Sequence, residues 1–380
     1  MRVDILHSFS NTGNERSWRE VLELARRRIV LADELGIDGF WLGEHHFDYS
    51  GIDQSPNPVL LLADLASRTK SIRIGIAAVI LPTWHPIRLA EDIAALDHMT
   101  DGRLDVALSR GILQAEIINF NPDADRKDAE KSKGVFAENL ALLKAAWSQD
   151  PLQWKSERYE FPYPGTKWPA ADDRFLDEDG NVVSMSIIPR PLQENGPRLF
   201  SVTDTVDGFQ TAAQQDLSVI TWFPTRTVLD NLNTAYQAEL ATRESPDPRL
   251  ARNSAILRGY LIAPTDEEAR RLAEPEVTAT VEFIDKVPGR GRKIWLDAGE
   301  DVDDPAIAAT SPFDLLFERD HILIGSPDTV AAKMIEIARN HNVEHWLLSP
   351  YLDEDEEVVN RSMRLLAEEV LPKVRAALES

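Results

Sequence analysis

The stretch Gly39-Phe40-Trp41-Leu42-Gly43-Glu44-His45-His46-Phe47 decides how this chain folds. An apolar run leads into two adjacent histidines with a carboxylate beside them. Upstream, residues 15–35 form a long amphipathic segment that closes on Leu35-Gly36. A helix, a glycine stop, a short apolar run and then polar residues is how one βα unit hands over to the next strand. If the strand belongs to a parallel barrel, its carboxyl end is where chemistry is done. Two histidines there can abstract a proton, orient a ligand or bind a metal.

The same rhythm extends outward in both directions. Short β-rich runs occur at Val3–His7, Phe40–Gly43, Ile72–Ile80, Arg103–Leu108, Arg198–Val202, Leu217–Ile220, Ala255–Ala263 and His345–Ser349. Between them lie helix-like segments near 15–35, 57–69, 86–99, 131–148, 206–215, 226–242, 266–285 and 327–340, and a last helix near 355–378. This alternation predicts an α/β fold, a (β/α)₈ TIM barrel with insertions; a doubly wound sheet is the alternative the pattern admits. A single domain over 1–380 is expected. Two stretches, about 150–197 and 286–321, break the rhythm with Pro, Gly and Asp, and read as insertion loops. Aromatic residues in the first favour ordered packing, which leaves the second as the candidate lid.

Composition narrows the function. The chain has 380 residues, 43% hydrophobic and 28% charged, enough for a large core. Its net charge of −23 argues against sequence-independent binding to nucleic acid or anionic membranes. An anionic cofactor remains compatible, since a local arginine or a helix amino terminus can hold one. There are no cysteines, so disulfides, thiolate metal sites and Cys nucleophiles are excluded. No signal peptide and no long apolar span is visible, and a cytoplasmic protein is expected.

Familiar cofactor motifs are missing: there is no Gly-x-Gly-x-x-Gly after a strand, no P-loop and no Gly-x-Ser-x-Gly elbow. His45 and His46 lack metal-ligand spacing, and adjacent residues on an extended chain point to opposite sides, so no metal is expected. Ala77-Ala78 ends an otherwise bulky strand, which either leaves room for a flat ligand or fits a tight barrel. His85, in Thr83-Trp84-His85-Pro86, stands at a helix start, facing the barrel mouth or simply near the cap. Ser109-Arg110-Gly111 ends a strand; the arginine can grip a phosphate or carboxylate, or close the mouth with a salt bridge. Thr205, in Val202-Thr203-Asp204-Thr205, falls near a helix N-cap, where free amides favour a phosphate and plain capping is the commoner role.

Taken together, these segments resemble the bacterial luciferase-like, flavin-dependent monooxygenases. The carrying residues are Gly39–Phe47, Gly75–Pro86, Leu96–Arg103, Ser109-Arg110-Gly111, Ile188–Gln193 and Ile324–Pro327. The resemblance implies a TIM barrel that binds reduced FMN delivered by a separate NAD(P)H:flavin reductase. Dioxygen adds to the flavin C4a position, and the resulting peroxide puts one oxygen atom into a small organic substrate. It further implies that His45 is the catalytic histidine and that Ala77-Ala78, joined by a cis peptide, packs against the flavin. Ser109 and Arg110 with Lys133, and Asp204 with Thr205, are implied on the cofactor side. His46, His85 and Trp222 are implied in the substrate pocket, and a homodimer is the implied assembly.

The sequence departs from the luciferases at Ser109, where they carry a reactive cysteine, and at Asp204-Thr205, where they carry Glu-Ser. The first departure argues against long-chain aldehyde luminescence. The second places a carboxylate near the supposed phosphate. Two other readings fit the same barrel: a deazaflavin F420-dependent hydride-transfer enzyme, and a non-catalytic flavin-binding relative.

Overall fold

A computed structural model describes residues 1–169, 171–286 and 291–379. The strands are β1 (Arg2–His7), β2 (Gly39–Leu42), β3 (Arg73–Ile80), β4 (Leu104–Ser109), β5 (Trp154–Lys155), β6 (Glu160–Phe161), β7 (Arg198–Val202), β8 (Ser218–Thr221), β9 (Ala255–Ile262), β10 (Ile322–Gly325) and β11 (His345–Pro350). The helices are α1 (Trp18–Glu34), α2 (Pro58–Ala66), α3 (Pro86–Met99), α4 (Gln114–Phe120), α5 (Ala129–Ser148), α6 (Val206–Gln214), α7 (Arg226–Leu240), α8 (Asp266–Asp285), α9 (Pro305–Ala309), α10 (Pro312–Glu318), α11 (Pro327–His341), α12 (Glu356–Leu365) and α13 (Leu371–Glu379). Among the described residues no helix is long and apolar enough to cross a membrane.

The chain forms two compact units, residues 1–78, 105–107 and 198–380, and residues 79–104 and 108–197. The first holds the barrel. Its strands run β9-β11-β1-β2-β3-β4-β7-β8, and β8 returns to β9 to close the ring. These are the eight strands expected from the sequence. β10 is additional and pairs with Gly259–Ile262 of β9. Its four residues are all buried, so no alternation marks them as a strand.

Local chemistry explains the βα handover. Ser17 caps α1 through a reciprocal box with Glu20, and Val21, Leu24, Ala25, Ile29 and Ala32 form its buried stripe. Gly36, at φ +69°, makes the turn towards β2.

Inside the barrel the side chains form layers, because alternate strand residues share a face. Trp41 stands beside Leu6 and Gly75 in register. A Cβ at position 75 would lie 1.9 Å from the Trp41 ring, so only glycine admits the indole. Trp41 clusters with Ala107, Phe200, Ile220, Ala255, Leu257 and Leu347, and Ala77, Ala78, Val202 and Trp222 are packed against this cluster, only partly buried.

The stretch 286–321, expected as an insertion loop and candidate lid, carries α9 and α10. Its described part contributes Trp295, Leu296, Ile307, Phe313, Leu315 and Leu316 to a buried cluster that includes Ala269, Ala273, Val277 and Val281 of α8. Residues 287–290 lie outside the described residues. α9 and α10 were not expected, because they are shorter than the window in which helical periodicity shows.

The second unit packs α3 and α5 with the 150–197 stretch, which carries the antiparallel β5-β6 hairpin. Gln193 ties this stretch to α3: its backbone N–H and side-chain amide donate to Asp97 at 2.8 and 2.7 Å. The Arg190 guanidinium donates to the Trp147 and Gln149 carbonyls at the end of α5.

Candidate active site at the carboxyl ends of the barrel strands

The first unit gathers its unusual polar groups where β1, β2 and β3 end. His45 follows β2 and is half-buried. Its backbone N–H donates to the Ser55 carbonyl at 3.1 Å. The neighbouring His46 Nε2 lies 2.9 Å from Glu44 Oε1, so the buried carboxylate and His46 form a pair. His45 and His46 thus have different surroundings, as expected for adjacent residues on extended backbone.

The peptide joining Ala77 to Ala78 is cis. Both alanines, with Trp222, border the interior cluster, so the structure brings these three sequence-predicted residues together. Gly43 adds a bare backbone face. A Cβ built there would stand 3.3 Å from Asp53 Oδ2, 3.6 Å from the Ala77 carbonyl oxygen and 3.6 Å from His45 Cδ2. Three polar or catalytic-type groups therefore converge on a space that glycine leaves open. Trp222 is half-buried and stacks on Phe223, with ring centroids 4.6 Å apart.

Asp204 and Thr205 lie between β7 and α6. Thr205 is the N-cap of α6 and accepts from the Gly208 N–H at 3.1 Å. Asp204 Oδ1 accepts from the Thr221 hydroxyl at 2.7 Å and from the Trp222 and Phe223 N–H groups at 2.8 and 3.2 Å. The carboxylate that the sequence sets beside a phosphate is thus turned onto the end of β8, where its charge is hydrogen-bonded. Arg258 braces the same turn from β9. It is buried and donates to the Trp222, Pro224 and Asp320 carbonyls at 2.8 Å each. Burial lowers its pKa to about 10, against the charges of Asp320 and Asp204.

The remaining predicted residues belong to the second unit. Ser109 ends β4, and its hydroxyl accepts from the Gly111 N–H at 3.1 Å. Arg110 is half-buried, and among the described residues its guanidinium has no hydrogen bond or ion pair. Lys133 is exposed on α5. His85 is the N-cap residue of α3 and packs edge-on against Tyr159 at 5.3 Å; desolvation lowers its pKa.

Sequence reasoning missed Asp53, which is buried and accepts the Phe9 N–H at 3.0 Å. Burial pushes its carboxyl up, with the charge of His45 the foremost opposing influence. It lies eight positions after His45, in an irregular loop with no motif. It also missed His7, at the end of β1. The His7 ring takes a hydrogen bond from buried Arg28 at 3.0 Å, and its Nε2 is buried with no hydrogen-bond partner among the described residues.

A family model described as luciferase-like monooxygenase matches residues 1–344. The chain belongs to the luciferase-like monooxygenases. The oxygenase component of flavin-dependent trigonelline monooxygenase from Acinetobacter baylyi is 26% identical over 219 residues, 58% of this chain and 53% of that protein. The chain thus spans about half the length of that relative. A 2,5-diketocamphane 1,2-monooxygenase from Pseudomonas putida is 25% identical over 378 residues, 95% of this chain and 96% of the relative. Among solved structures, the oxygenating constituent of 3,6-diketocamphane monooxygenase from Pseudomonas putida, a type II Baeyer–Villiger monooxygenase in complex with FMN, shares the fold. It matches with a TM-score of 0.76 at 21% identity over 98% of this chain and 99% of that one.

Proposed function

We propose that this protein is the oxygenase component of a two-component monooxygenase that uses reduced FMN to insert one atom of O₂ into a small organic substrate. One observation carries the reading: towards the carboxyl ends of β2 and β3 the chain presents only Gly43, Ala77 and Ala78, with His45 beside Gly43. A flat ring needs such a surface, because backbone-sized residues let it approach where larger side chains would project. The donor set fits the rest of the cofactor, since Arg110 offers a guanidinium with no partner among the described residues.

In this reading Ala77 and Ala78 meet the ring, and Arg110, with Lys133, meets the phosphate. The N-terminal amides of α6, next to Thr205, are a further phosphate donor set. Bound reduced FMN supplies the electrons for activating dioxygen. The chain excludes water from the reacting edge with Trp222 and its neighbours, and places the His45 imidazole there to hold or deliver a proton. His46, held by Glu44, and His85 are the other proposed substrate-side groups. A separate reductase supplies the reduced flavin, and the assembly is a homodimer in the cytoplasm.

The test is reduced-cofactor binding followed by ¹⁸O₂ exposure with candidate substrates. FMN binding with one ¹⁸O atom in the product supports the proposal. Preference for F420 with hydride transfer, or flavin binding without turnover under any reductant, contradicts it.

A further inference from the structure

Asp53 is a buried carboxylate that the reading above leaves unused. The loop after His45 doubles back to deliver it. Asp48 makes the turn by accepting the Ser50, Gly51 and Asp53 N–H groups at 2.9, 3.2 and 2.7 Å. The returning strand of loop is then pinned on both sides. Gln54 N–H donates to the Phe9 carbonyl at 3.0 Å, and the Ser55 carbonyl accepts from the His45 N–H at 3.1 Å. Residue 53 is thereby fixed between the end of β1 and His45. Its Oδ1 takes the Phe9 N–H, and its Oδ2 and the His45 ring both border the bare face of Gly43, 3.3 and 3.6 Å from where a Cβ would stand.

Burying a carboxylate is unfavourable unless charge or hydrogen bonds compensate, so its surroundings say what it serves. The titratable groups near Asp53 are His45 on its own loop and His7 on β1. The Asp48 carboxylate faces its amide, and Glu44 is turned to His46. Behind His7 stand Arg28 of α1 and Asp353, with Asp353 Oδ1 3.5 Å from His7 Nδ1. Arg28 Nη1 lies 3.0 Å from the same His7 Nδ1, so the His7 ring is engaged by Arg28 and Asp353. The charge of Arg28 is met by Asp353. Of the two histidines, His45 is the one whose charge acts more strongly on the Asp53 carboxylate.

We propose that Asp53 is the positioning residue of His45: its carboxylate, which shares the open face of Gly43 with the imidazole, fixes the ring's orientation and charge. The proposal rests on the reading of His45 as the catalytic histidine. It makes the pair one titrating unit rather than two independent groups.

The experiment is an NMR titration of the His45 imidazole nitrogens in the full-length protein and in Asp53→Asn. Asparagine keeps an oxygen for the Phe9 N–H and removes the charge. The His45 titration moves to lower pH in the variant, the acid limb of the kcat–pH profile follows it, and kcat falls about tenfold or more with KM unchanged. Asp53→Glu restores part of both. A folded Asp53→Asn protein with an unmoved His45 titration overturns the proposal. If that variant does not fold, the Asp53 carboxyl ¹³C titration is read in His45→Ala instead. A shift to higher pH supports the pairing and no shift overturns it. Coupled titrations in a protein without flavin-dependent turnover would refute the functional reading alone, so the two failures are distinguishable.

Discussion

Asp105 and Asp4 at the amino ends of the barrel strands and Asp53 at the carboxyl ends are buried carboxyls held in opposite ways. At the amino ends, Asp105 accepts from Arg2 Nη1 at 2.8 Å, from Arg73 at 2.9 and 2.7 Å and from Arg198 at 2.9 Å twice. Asp4 accepts from the Trp41 indole at 2.6 Å, meets Arg2 at 2.7 Å and lies 2.8 Å from His345 Nε2. Burial alone would raise both carboxyls. The Arg73 hydrogen bond and the arginine charges outweigh it at Asp105, and His345 and Arg2 do so at Asp4, so both are held below the usual range. At the carboxyl ends Asp53 has no arginine, and burial wins. The amino-end cluster uses charge to hold strands together, whereas Asp53 is a buried carboxyl whose titration is pushed up by burial.

The contrast gives signs for pH. Asp105 and Asp4 titrate lower in the folded state than in the unfolded chain. They stabilise the fold above the unfolded carboxylate value, about pH 4, and that contribution is lost as pH falls below it. Asp53 titrates higher when folded, so its contribution is present at low pH and lost as pH rises through its folded value. Asp53→Asn should therefore leave the neutral-pH unfolding midpoint unchanged or raised.

The largest expected effect is at the amino end. Asp105→Ala leaves three arginines without their common acceptor and should destabilise by about 3–5 kcal/mol, read as a lower urea midpoint. An unchanged midpoint would break the contrast. Next comes Arg110→Ala, which should weaken FMN by about 1.5–3 kcal/mol, roughly ten- to a hundredfold, and leave riboflavin unaffected. Equal weakening of both ligands removes the phosphate role. His45→Ala should lower turnover by over about tenfold while the unfolding midpoint and most flavin affinity persist. Normal turnover in that variant would unseat it. The smallest effect is Thr205→Ala, which loses the cap on α6 and should cost about 1 kcal/mol; a larger loss of FMN than of riboflavin in the same variant would add phosphate binding to capping.

The carboxyl end was more legible than the amino end, for a physical reason. Helix, glycine and apolar run repeat locally, so eight strands and the position of His45 follow from neighbours in sequence. Arg2, Asp4, Arg73, Asp105, Arg198 and His345 are dispersed along the chain, and each reads alone as an ordinary strand-edge charge. Only strand order brings them together. Asp53 stayed hidden because a loop's return path is set by groups such as Asp48, which carry no periodic signal. Asp204 shows the converse: its place beside a helix start was readable, and its partners on β8 were not.

The most direct test of the account uses two histidines at opposite ends. The imidazole signals of His45 and His345 are followed by NMR while oxidised FMN is titrated into the full-length protein. The His45 signals should move in a saturable way and those of His345 stay in place. Movement at His345 without movement at His45 would contradict it.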